Sequence, residues 1–408
     1  MQTVGHTEAE VEQGVPRFWP RSGETWRDPF PMYRALRDHD PVHHVEHGDY
    51  WVLSRHADVQ AAAQSWVQFS SAQGLTFRYD ELSFGDLGAL APMVFLDPPD
   101  HTEFRRLVSR GFTPRQVTAI EPGVRAFVTE RLDQLVGAGG GDIVAELLKP
   151  LPTMVVGHYL GVPEADRPRF DQWVHSVVAA TATNDLHAGA EAIGEVFEYF
   201  DALIERRRTD PGDDVISELV AAGDRAAVDP RRILGFAFTM ITGGNDTSTG
   251  LLSGGLDLLA RHPEQRARLG EDPDRIPDAV TELLRLTSPV QGLARTAVDD
   301  VTIDGVTIPA GRKVLLLYAS ANRDPRQFGP DAEELDVGRP PGPILSFGHG
   351  AHYCLGAAAA RLLGRVVLEE VLARCPNYEV DAAAGQFAPG NFVRWYESLP
   401  FTPGEGAR

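Results

Sequence analysis

Apolar residues recur at helical spacing through most of this chain. The pattern predicts helices over Pro31–Asp38, Thr102–Phe112, Ile120–Val136, Ile143–Leu160, Pro163–Ala180, Glu191–Arg208, Pro277–Thr287 and Cys354–Arg374. Alternating or β-favouring runs predict a strand at Tyr50–Leu53, hairpin strands over Val298–Leu317 and a final hairpin that ends near Pro403. We therefore expect a mainly α-helical fold with small β-sheets at its edge, an α+β arrangement.

The longest predicted helix begins at Asp229-Pro230, where an N-cap residue precedes a proline at the first helical position. It runs to about Arg261, just before His262-Pro263. Its first half is apolar on nearly every side, and a helix of that kind is buried. The chain is therefore expected to have a long central helix inside its core.

The middle of this predicted helix contains residue types that are unfavourable inside a buried helix. It reads Gly243-Gly244-Asn245-Asp246-Thr247-Ser248-Thr249. Each glycine costs about 1 kcal/mol relative to alanine, and a buried carboxylate without a partner costs more. One interpretation is a kink with a solvated polar patch. The other is a groove in which the Thr247 hydroxyl binds dioxygen or water and Asp246 relays protons inward.

Length and composition restrict the function further. The 408 residues show no internal repeat and no linker between folding units, so residues 1–24 are expected to form a flexible arm and 25–408 a single domain. The net charge of −20 argues against a nucleic-acid partner. No apolar run reaches 18 residues and the N-terminus is acidic, so we expect neither a membrane span nor a signal peptide, and a cytoplasmic protein.

Two cysteines, Cys354 and Cys375, are too few for a cysteine-rich zinc or iron–sulfur site. Cys354 follows a glycine loop in FGHGAHYCLG and opens a predicted helix, where free N–H groups and the helix dipole favour a thiolate. The alternative is a buried structural cysteine, which is the usual fate of a lone cysteine. Cys375 lacks such a loop and is expected to be structural.

The spacing Phe-x-x-Gly-x-x-x-Cys-x-Gly favours the thiolate interpretation of Cys354 over the structural one. It resembles the haem-binding signature of the cytochrome P450 family, on Phe347, Gly350, Cys354 and Gly356. The resemblance implies the P450 fold, a single triangular helix-rich domain, with haem b as cofactor. It implies Cys354 as the iron ligand and Phe347 and Gly356 as residues that contact the haem.

The centre of the long helix is similar to the oxygen-binding motif of the same family, through Gly243, Gly244, Asp246 and Thr247. The resemblance makes Asp246 and Thr247 the catalytic acid–alcohol pair. Gly243 stands where alanine is more usual in the family, which leaves extra room above the haem. The segments WRDPFPMYRALRDHDPVHHV, SSAQGLTF and LVSRGFTPRQV are similar to a mycobacterial-type subfamily.

Further residues gain meaning only from the resemblance. Glu282 and Arg285 are one helical turn apart and taken alone are an ordinary ion pair. The family joins such a pair to a second arginine, for which Arg339 is the candidate, in a structural network. The resemblance also assigns four side chains to the two haem propionates: His101, Arg105, Arg295 and His352.

The resemblance implies a monooxygenase that activates dioxygen and inserts one oxygen atom into an organic substrate, by hydroxylation or oxidative dealkylation. No flavin- or nicotinamide-binding region is present, so electrons are expected from a separate ferredoxin and ferredoxin reductase. Local positive charge is expected to steer an acidic ferredoxin to the thiolate side of the haem. The candidate arginines are Arg105, Arg106, Arg110, Arg115, Arg361 and Arg365.

The substrate is expected to be apolar or amphipathic, such as a steroid, fatty acid, terpenoid or polyketide. The candidate lining residues are Gly243, Gly244, Val290, Leu293 and Phe236, with Phe392 and Met93 as weaker candidates. Three alternatives remain: a peroxygenase, a non-catalytic haem sensor or carrier, and a protein without haem. The Asp246-Thr247 pair counts against the first two, because neither would use a proton relay.

Overall fold

The computed structural model describes residues 16–79, 90–183, 189–226 and 229–407. Residues 1–15 of the predicted arm lie outside the described residues. The rest of that stretch packs against the body of the protein, because Phe18 is buried and the Gly23 N–H donates to the Ala388 carbonyl at 3.2 Å. Within the described chain, no helix combines the length and apolarity that a membrane span needs.

Helices make up most of the described structure. They are α1 (Phe30–His39), α2 (His56–Gln64), α3 (Asp100–Val108), α4 (Pro114–Ala119), α5 (Glu121–Ala138), α6 (Pro150–Tyr159), α7 (Arg167–Thr183), α8 (Ala190–Thr209), α9 (Val215–Ala226), α10 (Pro230–Arg261), α11 (Pro263–Glu271), α12 (Ile276–Thr287), α13 (Tyr318–Ala321), α14 (Pro325–Phe328) and α15 (Ala357–Arg374). A π-helical turn, Val144–Leu148, leads into α6.

The strands are short. They are β1 (Val42–Val45), β2 (Tyr50–Leu53), β3 (Phe69–Ser70), β4 (Gly141–Asp142), β5 (Leu293–Ala297), β6 (Val301–Ile303), β7 (Val306–Ile308), β8 (Lys313–Leu316), β9 (Glu379–Val380), β10 (Gln386–Phe387), β11 (Tyr396–Ser398) and β12 (Pro400–Thr402). The largest sheet has the order β1-β2-β8-β5-β3, in which β2 and β8 run parallel and the other neighbours antiparallel. The mainly helical prediction with small sheets is therefore confirmed.

Helix α10 occupies the centre of the core, as its apolar sequence predicted. The Asp229 side chain caps it by accepting a hydrogen bond from the Arg231 N–H at 2.9 Å, and it packs against α6, α7, α12 and α15. It runs without interruption through the glycine-rich stretch, so a break in the helix is not observed. Several hydroxyls instead donate to the carbonyl four residues earlier, so these hydroxyls find hydrogen-bond partners within the helix.

Two predicted segments differ in detail from the structure. The predicted helix over Ile143–Leu160 is divided into the π-helical turn and α6. The predicted C-terminal hairpin is also divided. Strand β11 pairs with β10, whereas β12 pairs with β4 and β9 in a separate sheet. Sequence periodicity identified the elements but not which distant strands they join.

Candidate active site

The cysteine loop ends at the N-terminus of α15 and is held by its own backbone. The Cys354 N–H donates to the Phe347 carbonyl at 2.9 Å. Gly350 adopts φ +69°, a left-handed conformation that glycine adopts freely. A side chain at this position would also come within 2.9 Å of the Ala63 carbonyl oxygen. Glycine is therefore required where the loop passes α2.

Cys354 lies deep in the protein, yet its side chain is accessible. A side chain with both properties lines an internal cavity. Burial raises the pKa of the Cys354 thiol, while the Gly356 backbone and the Arg105 charge act in the opposite direction. The helix terminus therefore affects this pKa less than burial does, and a metal cation bound beside the sulfur would favour the thiolate. By contrast Cys375 is fully buried in the core.

Phe347 and Gly356 flank the cysteine on either side. Phe347 is buried, and the Arg361 guanidinium lies 5.2 Å from its ring centroid. No atom lies within 4 Å of where a Gly356 side chain would begin, so this glycine faces open space. Such open space beside a thiol, flanked by a phenyl ring, suits a flat macrocycle.

His101 is a buried histidine without a protein partner. Its residual exposure is 1%, and neither ring nitrogen has a hydrogen-bond partner among the described residues. Burial, with smaller contributions from the Arg105 and Arg295 charges, lowers the pKa of His101 to about 4. Buried nitrogens without partners are unfavourable unless a ligand satisfies them.

His352 reaches the same place from the cysteine loop. Its ring centroid is 4.2 Å from that of His101, and its Nε2 lies 3.2 Å from the Ser71 hydroxyl. Burial and the nearby Arg295, His101 and Arg105 lower the pKa of His352 to about 2. The structure thus gathers four nitrogen-bearing side chains that are far apart in the sequence.

The two arginines of this group are held by main-chain carbonyls. Arg105 Nη2 donates to the Tyr353 carbonyl at 2.5 Å, and buried Arg295 donates from Nη1 to the Ala294 carbonyl at 2.8 Å. Neither has a carboxylate partner among the described residues. Two cations and two histidines without acidic partners match the chemistry of two carboxylate groups.

The haem fits these residues. The buried His101 nitrogens without partners, the accessible thiol and the open space at Gly356 agree with a haem held by Cys354 and by its propionates. No cluster of three or more His, Cys, Asp or Glu side chains suited to a metal occurs among the described residues.

Asp246 and Thr247 lie side by side on α10 but differ in exposure. Asp246 is buried, has no hydrogen-bond partner among the described residues, and has its pKa raised to about 7 by burial. Lys149 opposes that change and Glu397 adds to it. Thr247 is half-buried and donates its hydroxyl hydrogen to the Gly243 carbonyl at 2.8 Å. The pair therefore combines a carboxyl that can titrate near neutral pH with an accessible hydroxyl.

The two glycines of the motif differ in their surroundings. Gly243 is exposed, and no atom lies within 4 Å of where its side chain would begin. At Gly244 the same position is 3.1 Å from Val156 Cγ2. Gly243 thus faces open space, whereas Gly244 faces α6.

The predicted substrate residues separate into two groups. Val290 and Leu293 are half-buried, and Val290 bridges to Val393. Phe236 is exposed by only 1% and packs against Phe104 and Phe112, with ring centroids at 6.2 and 6.5 Å. Its placement is that of a core residue, which argues against the predicted lining role. The weaker candidates divide in the same way, because Met93 is buried and Phe392 half-buried.

Glu282 and Arg285 form a buried bidentate ion pair. Arg285 Nε and Nη2 donate to the two carboxylate oxygens at 2.7 and 2.8 Å. Arg339 Nε adds a third contact to Glu282 at 3.2 Å and pairs with Asp331 at 2.9 Å. The structure thus joins Arg339 to the pair. The network ties α12 to the segment that precedes the cysteine loop.

The predicted surface arginines do not all carry free charge. Arg365 pairs with Glu121 at 2.5 Å and with Glu369 at 3.1 Å, so its charge is compensated within the protein and does not support the predicted role in attracting an acidic partner. Arg106, Arg110 and Arg115 are exposed and form no ion pair within the described residues. The positive charge available near the cysteine loop therefore lies on α3, on the turn that follows it and on α4, at Arg106, Arg110 and Arg115.

Sequence reasoning missed three residues that the structure brings to the site. Ser71 contacts His352 across a separation of 281 residues, and the Ser71 N–H donates to Asp97 Oδ1 at 2.9 Å. Lys149 approaches Asp246 from the turn before α6. No local pattern marks any of the three, because each acts through contacts between distant segments.

The fold and this site together define a haem-thiolate enzyme. The sequence profile of the family described as Cytochrome P450 matches residues 41–382. Cytochrome P450 130 of Mycobacterium tuberculosis is 61% identical over 389 residues, which cover 93% of this chain and 96% of that protein. The chain belongs to the cytochrome P450 family, whose members are monooxygenases that bind haem b. The family resemblance seen in the sequence is confirmed.

Two more distant relatives have names that mention a steroid or a related molecule. Vitamin D(3) 25-hydroxylase of Pseudonocardia autotrophica is 36% identical over 390 residues, covering 94% of this chain and 96% of that protein. The crystal structure of CYP109E1 from Bacillus megaterium in complex with testosterone has a TM-score of 0.82 at 31% identity, covering 92% of this chain and 99% of that one. The predicted fold is thereby confirmed.

Proposed function

We propose that this P450 hydroxylates an apolar or amphipathic organic substrate, with Cys354 as the haem ligand and Asp246 and Thr247 as the proton-delivering pair. The observation that carries the proposal is the accessible Cys354 thiol in the loop whose His352 lies against His101, a buried histidine with no hydrogen-bond partner for either ring nitrogen among the described residues. When bound, haem b supplies the activation of dioxygen, and thiolate ligation favours cleavage of the O–O bond.

The side chains around the cavity would hold the haem by charge and hydrogen bonding. His101, Arg105, Arg295 and His352 supply donors for two propionates. Phe347 and Gly356 border the cysteine. The negative propionates would raise the pKa values of both histidines, which burial otherwise keeps low. The site is therefore electrostatically complementary to a dicarboxylate macrocycle.

Asp246 is suited to hold and transfer a proton. Burial places its pKa at about 7, so both protonation states are populated at neutral pH. Thr247 is accessible and can accept a hydrogen bond through its free lone pairs. The pair argues against a peroxygenase or a passive haem carrier, because neither needs protons delivered to the cavity.

We propose that the substrate is a molecule with a bulky apolar ring system, of the steroid class. Two observations support this choice. Gly243 removes side-chain bulk beside open space, and Val290, Leu293 and Phe392 are half-buried apolar residues. Its relatives include a vitamin D(3) 25-hydroxylase and a P450 whose structure was determined in complex with testosterone. Ligands that displace water from the haem iron would shift its Soret band, so a steroid panel compared with fatty acids of equal carbon number tests the class.

Electrons are proposed to come from a ferredoxin and its reductase, with the ferredoxin docking near the cysteine loop. The exposed arginines Arg106, Arg110 and Arg115 form no ion pairs within the described residues, although the whole chain has a net charge of −20. Local positive charge of this kind favours the approach of an acidic protein.

The central test is the spectrum of the dithionite-reduced protein under carbon monoxide. We expect the Soret band of a thiolate-ligated haem in the wild type and its loss in Cys354→Ala. Cys375→Ala is the matched control, because it also removes a thiol but from the core, and it should keep the band. A wild type that binds haem without showing this band would contradict the proposal.

A further inference from the structure

A groove lies between α5 and α6, and none of the residues that line it belongs to the candidate active site. Its volume is about 300 Å³, which is the lower end of the range of about 300–1,000 Å³ found for small-molecule sites. One wall consists of Ile120, Gly123 and Phe127, which share a face of α5. The other wall consists of Met154 and Val155 of α6. The groove is therefore apolar on both walls.

Gly123 leaves open space in the α5 wall. It is exposed, and no atom lies within 4 Å of where its side chain would begin. Its φ lies outside the left-handed region, so the backbone does not require glycine here. At about 30 Å³ for each water-sized group, the groove has room for roughly ten non-hydrogen atoms. A short organic molecule would fill it.

Arg167, the first residue of α7, supplies positive charge at the groove. Its Nε is buried without a hydrogen-bond partner, and its guanidinium forms no ion pair among the described residues. Asp171, one turn further along α7, feels this charge from beyond ion-pair distance. His158 of α6 lines the groove near Arg167, whose charge adds to burial in lowering the pKa of His158. A neutral imidazole still donates one N–H, so both side chains can donate to an anion.

Glu130 lines the groove further along α5. It lies about 15 Å beyond Ile120 along the helix axis, at 1.5 Å per residue. Helices joined by a short connection pack as antiparallel neighbours. His158, near the end of α6, therefore lies towards the start of α5, and Glu130 lies at the opposite end of the groove. An anionic ligand is thus attracted in one orientation and repelled in the other.

The opposite face of α6 contacts the centre of α10. The Thr153 hydroxyl donates to Asn245 Oδ1 at 2.9 Å, and the side-chain position of Gly244 is 3.1 Å from Val156 Cγ2. Because an α-helix has 3.6 residues per turn, the two groove residues between Thr153 and Val156 point away from α10. A single helix therefore separates the groove from the glycine pair of α10.

We propose that this groove is a second ligand site, which binds a small amphipathic carboxylate, and that the bound molecule acts on the centre of α10 through α6. The carboxylate accepts hydrogen bonds from Arg167 and His158, and the alkyl chain lies against Phe127 and Met154. Because coupling between two sites is reciprocal, a ligand of the haem changes the affinity of the groove by the same factor. The inference goes beyond the proposed function and uses neither the substrate class nor the proton pathway.

The test uses octanoate as the probe, because its size matches the groove. Isotope-labelled methionine methyl groups in the carbon monoxide-bound holoenzyme report where it binds, since the chain has only five methionines. Met154 lines the groove, whereas Met240 is part of α10 and Met93 packs near that helix. We expect octanoate to move the NMR signal of Met154, which Met154→Leu identifies.

Two pairs of matched variants locate the site. Gly123→Leu fills the groove with a better helix former and should abolish the Met154 shift. Gly137→Leu also adds a side chain in open space on α5, but outside the groove, and should leave the shift unchanged. Arg167→Gln should weaken octanoate binding by about 10-fold, the effect of one charge-assisted hydrogen bond. Arg169→Gln removes an equal charge nearby on α7 and should not weaken it.

The coupling is measured as the Kd of an azole that coordinates the haem iron, read from the Soret band with and without saturating octanoate. We expect octanoate to change this Kd by about 5-fold or more in the wild type and not in Gly123→Leu. A change that persists in Gly123→Leu would place octanoate in the haem cavity and overturn the coupling.

The site itself is overturned if octanoate moves only the Met93 or Met240 signals, or if the Met154 shift survives in Gly123→Leu. If Gly123→Leu abolishes the Met154 shift but octanoate leaves the azole Kd of the wild type unchanged, the site stands and the coupling through α6 fails. None of these outcomes bears on haem ligation by Cys354, so failure here is distinct from failure of the proposed function.

Discussion

The imidazole rings of His101 and His352 lie 4.2 Å apart, and no hydrogen bond joins them. Burial and neighbouring arginines keep both neutral. Two neutral rings that approach each other beside cations make a receptor for negative charge. His101→Gln should therefore accelerate haem transfer to apomyoglobin by about 10-fold or more, the equivalent of one charge-assisted hydrogen bond. Ser71→Ala, which leaves His101 unchanged, should have a smaller effect, and equal rates in all three proteins would refute propionate binding by His101.

The buried ion pair of Glu282 and Arg285 should dominate stability in its region. Arg285→Met leaves a carboxylate buried without its bidentate partner, so the free energy of unfolding should fall by about 3–5 kcal/mol. Urea denaturation monitored by circular dichroism measures this change. The control is Arg275→Met, which removes an exposed pair with Asp272 and should change stability by less than about 1 kcal/mol. A loss at position 285 no larger than the control would show that the network contributes little.

Alanine substitutions at the two glycines of α10 should have different effects. Gly243→Ala adds a methyl group in open space and removes a poor helix former, so it should raise the free energy of unfolding by up to about 1 kcal/mol. Gly244→Ala brings its methyl group to 3.1 Å from Val156 and should gain less or lose stability. Thermal unfolding compares the two. Gly243→Ala should also weaken the Soret shift produced by the bulkiest ligands, and an unchanged ligand profile would argue against its place in the substrate cavity.

The free energy of unfolding should fall as the pH rises through the neutral range, because the pKa of Asp246 is higher in the folded protein than in the unfolded chain. Its pKa is raised to about 7 in the folded protein but is about 3.9 in an unfolded chain. Between these values the folded state holds one more proton, so the free energy of unfolding falls with increasing pH, by up to about 1.4 kcal/mol per pH unit. Asp246→Asn should flatten this dependence in urea titrations at pH 5 and pH 8. A slope unchanged by the substitution would show that Asp246 does not titrate as described.

Reversing exposed arginine charge near the cysteine loop should slow electron delivery. The double variant Arg106→Glu/Arg110→Glu should reduce the rate of haem reduction by an acidic ferredoxin, most strongly at low ionic strength. Stopped-flow absorbance measures that rate, and dithionite reduction of the same variant should be normal. Arg231→Glu/Arg232→Glu, which also reverses two arginine charges but on the first turn of α10, is the control. Equal slowing by both substitutions would locate the ferredoxin elsewhere.

Much of the helical framework was predictable because its signals are local. The Asp229-Pro230 start and the Arg261 end of α10 agree with the structure, since a capping residue and a following proline act within one turn. The β2 strand was predicted with the observed bounds. Strand β1 was missed because its two central residues are half-buried histidines rather than apolar residues.

The cysteine loop could be predicted from a compact motif, but its neighbourhood could not. Ser71 contacts His352, and the charge of Lys149 lowers the pKa of Asp246, only because distant elements pack together. The same reason applies to two predictions that the observed contacts do not support. Arg365 is paired with acids from its own helix and from α5, and Phe236 turns towards Phe104 and Phe112. Periodicity identifies which face of a helix is apolar. It does not identify the residues that pack against that face.

In the role proposed for Thr247, the hydrogen bond from its hydroxyl to the Gly243 carbonyl would limit which small molecules it can bind. A hydroxyl carries one hydrogen, and here the backbone receives it, so only lone pairs face the cavity. A small molecule that carries a hydrogen on its terminal atom can therefore bind to Thr247, whereas its deprotonated form meets repulsion between lone pairs. In that role, this one intrahelical hydrogen bond would make Thr247 selective for the protonated form of a small molecule.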